Sequence, residues 1–147
     1  MKSDLFQELD FLIARMRAIG TSRANRALRP HGLKVRSYSV LSLACSSTPP
    51  TQRQLAELLS LDPSQIVPLV DELEQRQLVS RVPDPSDRRS KIIVASTSGH
   101  ELYASARQAT KNSENRTLRA LSAHERDQLR LLLSRVIDSV KSEDDSL

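Results

Sequence analysis

Apolar residues recur at helical spacing along most of this chain and alternate with polar ones in a single stretch. Leu5, Leu9, Leu12, Met16 and Ile19 fall at steps of four and three, so a helix over Asp4–Arg29 gathers them into one stripe, widened by Phe6, Ile13 and Ala27. Arg29-Pro-His-Gly32 ends it, because Pro30 disfavours helix at the residue before it and Gly32 suits a turn. Tyr38, Leu41 and Ala44 share one side of a second helix, Val35–Cys45, which the break Ser46-Ser-Thr-Pro-Pro50 closes. Thr51-Gln-Arg-Gln54 matches a capping box, and Leu55, Leu58 and Leu59 give a short third helix its buried face. After the turn at Ser60-Leu61, Asp62 is an N-cap, Pro63 fits the first helical position, where no N–H is required, and Gln65 completes a second box. Ile66, Leu69, Val70 and Leu73 face inward on a fourth helix, Pro63–Gln77, which leaves Ser64, Gln65 and Pro68 exposed and Val67 at the margin.

The alternating stretch follows. Leu78–Val82 and Lys91–Ala95 are rich in β-branched residues and flank a loop of Pro, Asp, Ser and Arg, so they predict a hairpin. Ser96-Thr-Ser98 then caps a fifth helix through Leu102, Ala106 and Ala109 to about Leu121. Ser122-Ala-His-Glu125 is a further capping box, opening a sixth helix with Leu129, Leu132, Leu133, Val136, Ile137 and Val140 at helical spacing. The acidic tail Glu143–Leu147 is expected to fray. The fold class that results is mainly α with a small β-hairpin wing: a winged helix-turn-helix over residues 33–97, with helical segments 1–32 and 98–147 at the two ends. A lone domain could bury the two terminal stripes against each other. Helices projecting beyond a small winged core have less to pack on, so the expectation is a dimerisation region.

Charge changes this picture more by its distribution than by its sum. The net charge of +4 and the pI near 9.6 permit a nucleic-acid partner without requiring one. Residues 1–50 carry eight cations against three carboxylates, residues 51–97 six against seven, and residues 98–147 eight against eight. The basic surplus therefore lies in the first helix, at Lys34 and Arg36, and locally at the hairpin tip, where Arg88 and Arg89 precede Lys91. A single cysteine rules out an intramolecular disulfide, and Met1–Asp10 has acidic residues where a secretory leader needs cations. No apolar run approaches the length of a membrane span, so the expectation is a cytoplasmic chain without a membrane partner. Cys45, with no cationic neighbour in sequence, is read as a small buried thiol rather than a redox site. His31, His100 and His124 lack metal-ligand spacing, and neither a phosphate loop nor a nucleophile motif is present, so no cofactor and no enzyme activity are expected.

The chemistry concentrates in the third and fourth helices and the hairpin. In a helix-turn-helix the N-terminal residues of the second helix reach base edges in the major groove. Ser64 and Gln65 can donate and accept hydrogen bonds there, and Gln suits adenine. A helical pair packed for stability alone would look similar, and the basic hairpin behind it is what favours DNA. An arginine inserted into a narrow A·T-rich minor groove meets enhanced negative potential, which suits Arg88 and Arg89. An Asp two residues before an Arg can hydrogen-bond it and fix its aim. The bland alternative is a solvated turn whose charges cancel in part. For Lys34, Arg36 and Ser37 two readings stand equally: phosphate binding at a helix N-terminus, or plain solvated charge. Arg15, Arg17, Arg23 and Arg26 read as a solvated face or as intersubunit ion pairs.

The run Asp62-Pro-Ser-Gln-Ile-Val-Pro-Leu-Val-Asp-Glu-Leu-Glu74, then Leu78-Val-Ser-Arg81, then Pro83-Asp-Pro-Ser-Asp-Arg-Arg89 and Gly99, resembles the MarR family of bacterial transcriptional regulators. The resemblance implies a homodimer joined by both chain ends, bound to a palindromic double-stranded DNA operator, usually as a repressor that a small aromatic or phenolic ligand releases. It implies that Asp87 orients Arg89 and that Arg89 enters the minor groove. The DNA-contacting set is then Arg36, Ser37, Thr51, Gln52, Ser64, Gln65, Arg81, Asp87, Arg88, Arg89 and Lys91, with Tyr38 either a ligand contact or core. Two departures stand out. Many relatives have Thr-Arg where this chain has Val67-Pro68, and Leu-Thr where it has Ala95-Ser96. Pro68 crowds the Ser64 carbonyl and removes one helical hydrogen bond, so a kink is expected there. A rival function, a winged helix used only as a protein-interaction module, draws on the negative balance of residues 51–97 and on Asp71, Glu72 and Glu74.

Overall fold

The computed structural model describes residues 3–145. Among them the elements run α1 (Leu9–Leu28), α2 (Val35–Ala44), α3 (Gln52–Leu59), α4 (Pro63–Gln75), β1 (Val79–Pro83), β2 (Lys91–Ala95), α5 (Thr97–Thr117) and α6 (Ala123–Asp144). The mainly helical class with a two-stranded antiparallel wing is therefore as the pattern implies. The first helix is not one piece: Asp4–Gln7 form a 3-10 turn, Glu8 is extended, and a second 3-10 turn, Arg29–His31, follows α1. The fourth helix stops at Gln75 rather than Gln77, where a left-handed Gln77, at φ 59°, turns the chain into β1. The fifth stops at Thr117, short of Leu121. Glu143 and Asp144 continue α6 instead of fraying, and Ser146 and Leu147 lie outside the described residues. Pro68 does not break α4, which runs from Pro63 to Gln75 without interruption.

Three reciprocal caps fix where helices begin. Gln54 N–H donates to Thr51 Oγ1 at 3.1 Å while Thr51 N–H donates to Gln54 Oε1 at 2.9 Å. Asp62 with Gln65 and Ser122 with Glu125 repeat the arrangement at α4 and α6. Each satisfies two N–H groups that a bare helix start leaves without partners.

The core joins α2, α3, α4 and the wing. Val40, Leu41, Leu55, Ile66, Val70, Leu73 and Ile93 are wholly buried, and Leu28 and Ala106 bring α1 and α5 to the same cluster. Leu58 departs from expectation: Leu55 is buried and Leu59 half-buried, but Leu58 points to solvent at 53% exposure. A helix of eight residues presents one narrow stripe inward, and Leu58 lies beside it. In the wing, Val79 faces Ala95, Arg81 faces Ile93 and Pro83 faces Lys91. Ile93 N–H also donates to the Pro50 carbonyl at 2.8 Å, and Thr51 bridges Ile92, so the chain entering α3 is tied to the hairpin. Behind the wing, Gly99 lets α5 pass against β1, since a Cβ there would drive into the Leu78 carbonyl oxygen.

Residues up to Ser113 form one compact unit and those from Glu114 a second. Within the first, Leu5, Leu9, Leu12, Ile13, Met16 and Ile19 are all exposed, and α1 buries only Leu28. Within the second, Leu129, Leu131, Leu132, Leu133, Val136, Ile137 and Val140 are exposed, and α6 buries no residue. No helix of the described residues is long and apolar enough to cross a membrane.

Candidate nucleic-acid interface

The exposed face of α4 opens with two polar residues, both bonded to the cap residue Asp62. Ser64 N–H donates to Asp62 Oδ1 at 2.9 Å, and Asp62 N–H donates to Gln65 Oε1 at 3.0 Å. The Ser64 hydroxyl, and after it the Ser64 N–H, hold the Asp62 carboxyl below the usual carboxylate range. Gln65 therefore keeps its amide N–H groups for a partner, and Val67 and Pro68 stand exposed one turn on. Thr51 and Gln52 are half-buried at the start of α3, with the Thr51 hydroxyl engaged in its cap.

Arg81 is held inside the fold rather than presented to solvent. From β1 its Nε donates to Gln52 Oε1 at 2.8 Å, its two terminal nitrogens reach Glu74 Oε1 at 2.9 Å and Asp71 Oδ1 at 2.6 Å, and its side chain is 20% exposed. Its backbone N–H donates to Glu74 Oε2 at 3.1 Å. One guanidinium thus links α3, α4 and the wing, and it pairs two of the three carboxylates that made residues 71–74 look hostile to DNA. Sequence reading missed this because the partners stand seven and ten residues away with no helical relation to Arg81.

The wing loop is braced by its own hydrogen bonds. Asp84 N–H donates to the Ser90 carbonyl at 2.9 Å, and Ser90 N–H donates to the Asp87 carbonyl at 3.0 Å. Asp84 Oδ1 accepts from the Ser86 N–H at 2.9 Å and its hydroxyl at 2.8 Å, which lowers the carboxyl pKa, the backbone bond acting most. Asp87 Oδ1 accepts the backbone N–H of Arg89 at 3.1 Å. The expected aid to Arg89 thus reaches its main chain here, and no hydrogen bond or ion pair joins the Asp87 carboxylate to the Arg89 guanidinium. Arg88, Arg89 and Lys91 are exposed, and neither arginine side chain has a hydrogen-bond or ion-pair partner among the described residues. Two unpaired guanidinium groups therefore sit on an ordered tip.

At the start of α2, Arg36 is exposed, but Ser37 is 4% exposed. The Ser37 hydroxyl accepts from Lys34 N–H at 3.0 Å and donates to the Lys34 carbonyl at 3.1 Å, an N-terminal cap that the sequence reading did not anticipate. Half-buried Tyr38 lies with its ring centroid 5.8 Å from that of Tyr103, and Thr110 donates to its hydroxyl at 3.2 Å. Burial pushes the Tyr38 phenol up. Beside the pair, α5 carries an open groove of about 350 Å³ lined by His100, Tyr103, Ala104, Arg107, Gln108 and Lys111. Their spacing by threes and fours was the available signal, hidden among polar residues. Cys45 is half-buried with its thiol pKa raised by burial, which disfavours the reactive thiolate. Among the described residues no group of His, Cys, Asp and Glu could hold a metal.

Residues 33–91 match the family model described as "MarR family". Over 92% of this chain and 96% of the other, the chain is 40% identical to a solved MarR-family transcriptional regulator from Rhodococcus sp. RHA1, with a TM-score of 0.86. It is 41% identical, over 92% of this chain and 95% of the other, to CouR from Rhodococcus jostii RHA1, solved bound to p-coumaroyl-CoA, with a TM-score of 0.82. It is 27% identical, over 93% and 98%, to a transcriptional repressor, CouR, bound to a 23-mer DNA duplex, with a TM-score of 0.82. Among curated proteins it is 32% identical to the HTH-type transcriptional repressor NicR of Pseudomonas putida, over 62% of this chain and 58% of NicR.

Proposed function

Since the chain belongs to the MarR family of winged helix-turn-helix transcriptional regulators, which is not a family of enzymes, we propose that it is a homodimeric repressor of a palindromic operator, released by a small aromatic ligand. One observation carries the DNA reading. The unpaired Arg88 and Arg89 stand on an ordered wing tip beside a helix-turn-helix whose own Asp71 and Glu74 are paired by Arg81. With those carboxylates tied back to Arg81 and their charge partly offset, α4 can approach the major groove while the tip reaches the flanking minor groove. Arg36 and Lys91 add phosphate contacts at the margins. The exposed apolar stripes of α1 and α6 supply the dimer contacts, and two-fold symmetry sets two wings on two half-sites.

The ligand reading is supported by the p-coumaroyl-CoA complex of CouR and by the α5 groove. Tyr103 and its neighbour Tyr38 offer aromatic faces, and Arg107 and Lys111 offer charge to an anionic group. The class that fits is an aromatic acid or its coenzyme A thioester. The test is release. A complex of the protein with a site selected from random duplex DNA is titrated with p-coumaroyl-CoA, with p-coumarate and with coenzyme A alone. Dissociation by one of the two aromatic compounds at concentrations where coenzyme A does nothing is the expected result. A complex indifferent to all three removes this ligand class.

A further inference from the structure

The reading face of α4 is more apolar than its position requires. The Ser64 N–H and the Gln65 side-chain oxygen are engaged with Asp62, and Asp71, two turns on, is engaged with Arg81. Between them the helix presents hydrocarbon: Val67, 40% exposed, and Pro68, also exposed. Ile66, Val70 and Leu73 form the inward stripe and are wholly buried, with Val67 at its margin and Pro68 away from it. Val67 and Pro68 thus add little to the core, and Pro68 withdraws the N–H that would pair with the Ser64 carbonyl. A valine–proline pair is poorly placed for hydrogen-bond readout. Among the base edges of the major groove the apolar group is the thymine 5-methyl.

We propose that Val67 and Pro68 set sequence specificity by contacting thymine 5-methyl groups in the major groove, with Gln65 donating its amide hydrogens to an adjacent acceptor. The inference rests on the operator-binding reading and deepens it. A 5-methyl group removed from water against hydrocarbon is worth roughly fourfold in affinity. Replacing thymine by deoxyuridine deletes that methyl and leaves the minor groove, where the wing tip is placed, unchanged.

The full-length protein is first used to select a binding site from a pool of random duplex DNA. Each thymine of the selected site is then replaced by deoxyuridine in turn, and binding is measured for the wild type, Val67→Ser, Val67→Ile and Pro68→Ala, with thermal melts to verify folding. Val67 is exposed, so these variants keep the core intact. The expected result is a loss of about fourfold at one or two thymines per half-site for the wild type, the same preference in Val67→Ile, and none at one of those positions in Val67→Ser. Equal binding of thymine and deoxyuridine duplexes by the wild type overturns the inference, as does an undiminished preference in both Val67→Ser and Pro68→Ala. Enrichment of no site at all overturns the operator reading itself, and the inference with it.

Discussion

Arg81 donates to Asp71 at 2.6 Å, from the first wing strand to the exposed side of α4. With Glu74 and Gln52 on its other nitrogens, it orders three elements by one planar group. Arg81→Ala is expected to destabilise the fold by about 1–2 kcal/mol, the lower part of the range for charge-assisted bonds because Asp71 and Glu74 stay partly solvated. It is also expected to weaken DNA binding, as Asp71 and Glu74 lose the cation that offsets their charge. Adding Asp71→Asn and Glu74→Gln to Arg81→Ala should recover part of the affinity. Denaturant melts and anisotropy on the same variants separate the two effects. Recovery of neither affinity nor salt dependence would show that Arg81 acts through geometry alone.

Arg89→Ala is expected to cost roughly 1–3 kcal/mol of DNA binding while the dimer remains intact. Asp87→Ala should give a smaller loss, because it frees the main chain at Arg89 without removing the cation. Unchanged affinity in Arg89→Ala would take the wing out of the interface.

Two backbone positions make opposite predictions. Gly99→Ala forces a Cβ into the Leu78 carbonyl oxygen, so a loss of about 3 kcal/mol or more is expected in denaturant melts. Gln77 has a positive φ of 59°, where a side chain is strained, so Gln77→Gly should gain about 1 kcal/mol. A neutral result at Gly99 would mean that α5 slides freely against β1.

Leu132→Glu with Ile137→Glu places two charges on the exposed stripe of α6. Analytical ultracentrifugation is expected to show a shift from dimer to monomer. A variant that remains fully dimeric moves the interface away from α6.

Periodicity and capping chemistry made the elements legible in the sequence. The boxes at Thr51, Asp62 and Ser122 place helix starts to the residue, because a cap is a local bond between neighbours in the chain. Helix ends were less legible. Gln77 takes a left-handed turn that a non-glycine residue does not advertise, and Glu8 interrupts the first helix with no proline or glycine to mark it. The site divided along the same line. Arg88 and Arg89 could be placed on a loop tip from local signals alone. The partners of Arg81 and the cap made by Ser37 depend on which segments the fold brings together. The exposure of Leu58 turns on a quarter-turn of helix phase that Leu55 and Leu59 leave open.

Salt-dependent fluorescence anisotropy decides whether this chain reads DNA. The protein is titrated against duplex DNA from upstream of its own gene, with an unrelated duplex as competitor, across a series of salt concentrations. Binding that resists the competitor and falls steeply with salt, by about −0.9 in log–log slope for each phosphate contacted, is the expected result. Weak binding that is equal for both duplexes would contradict a sequence-specific regulator and favour a winged helix that binds protein instead.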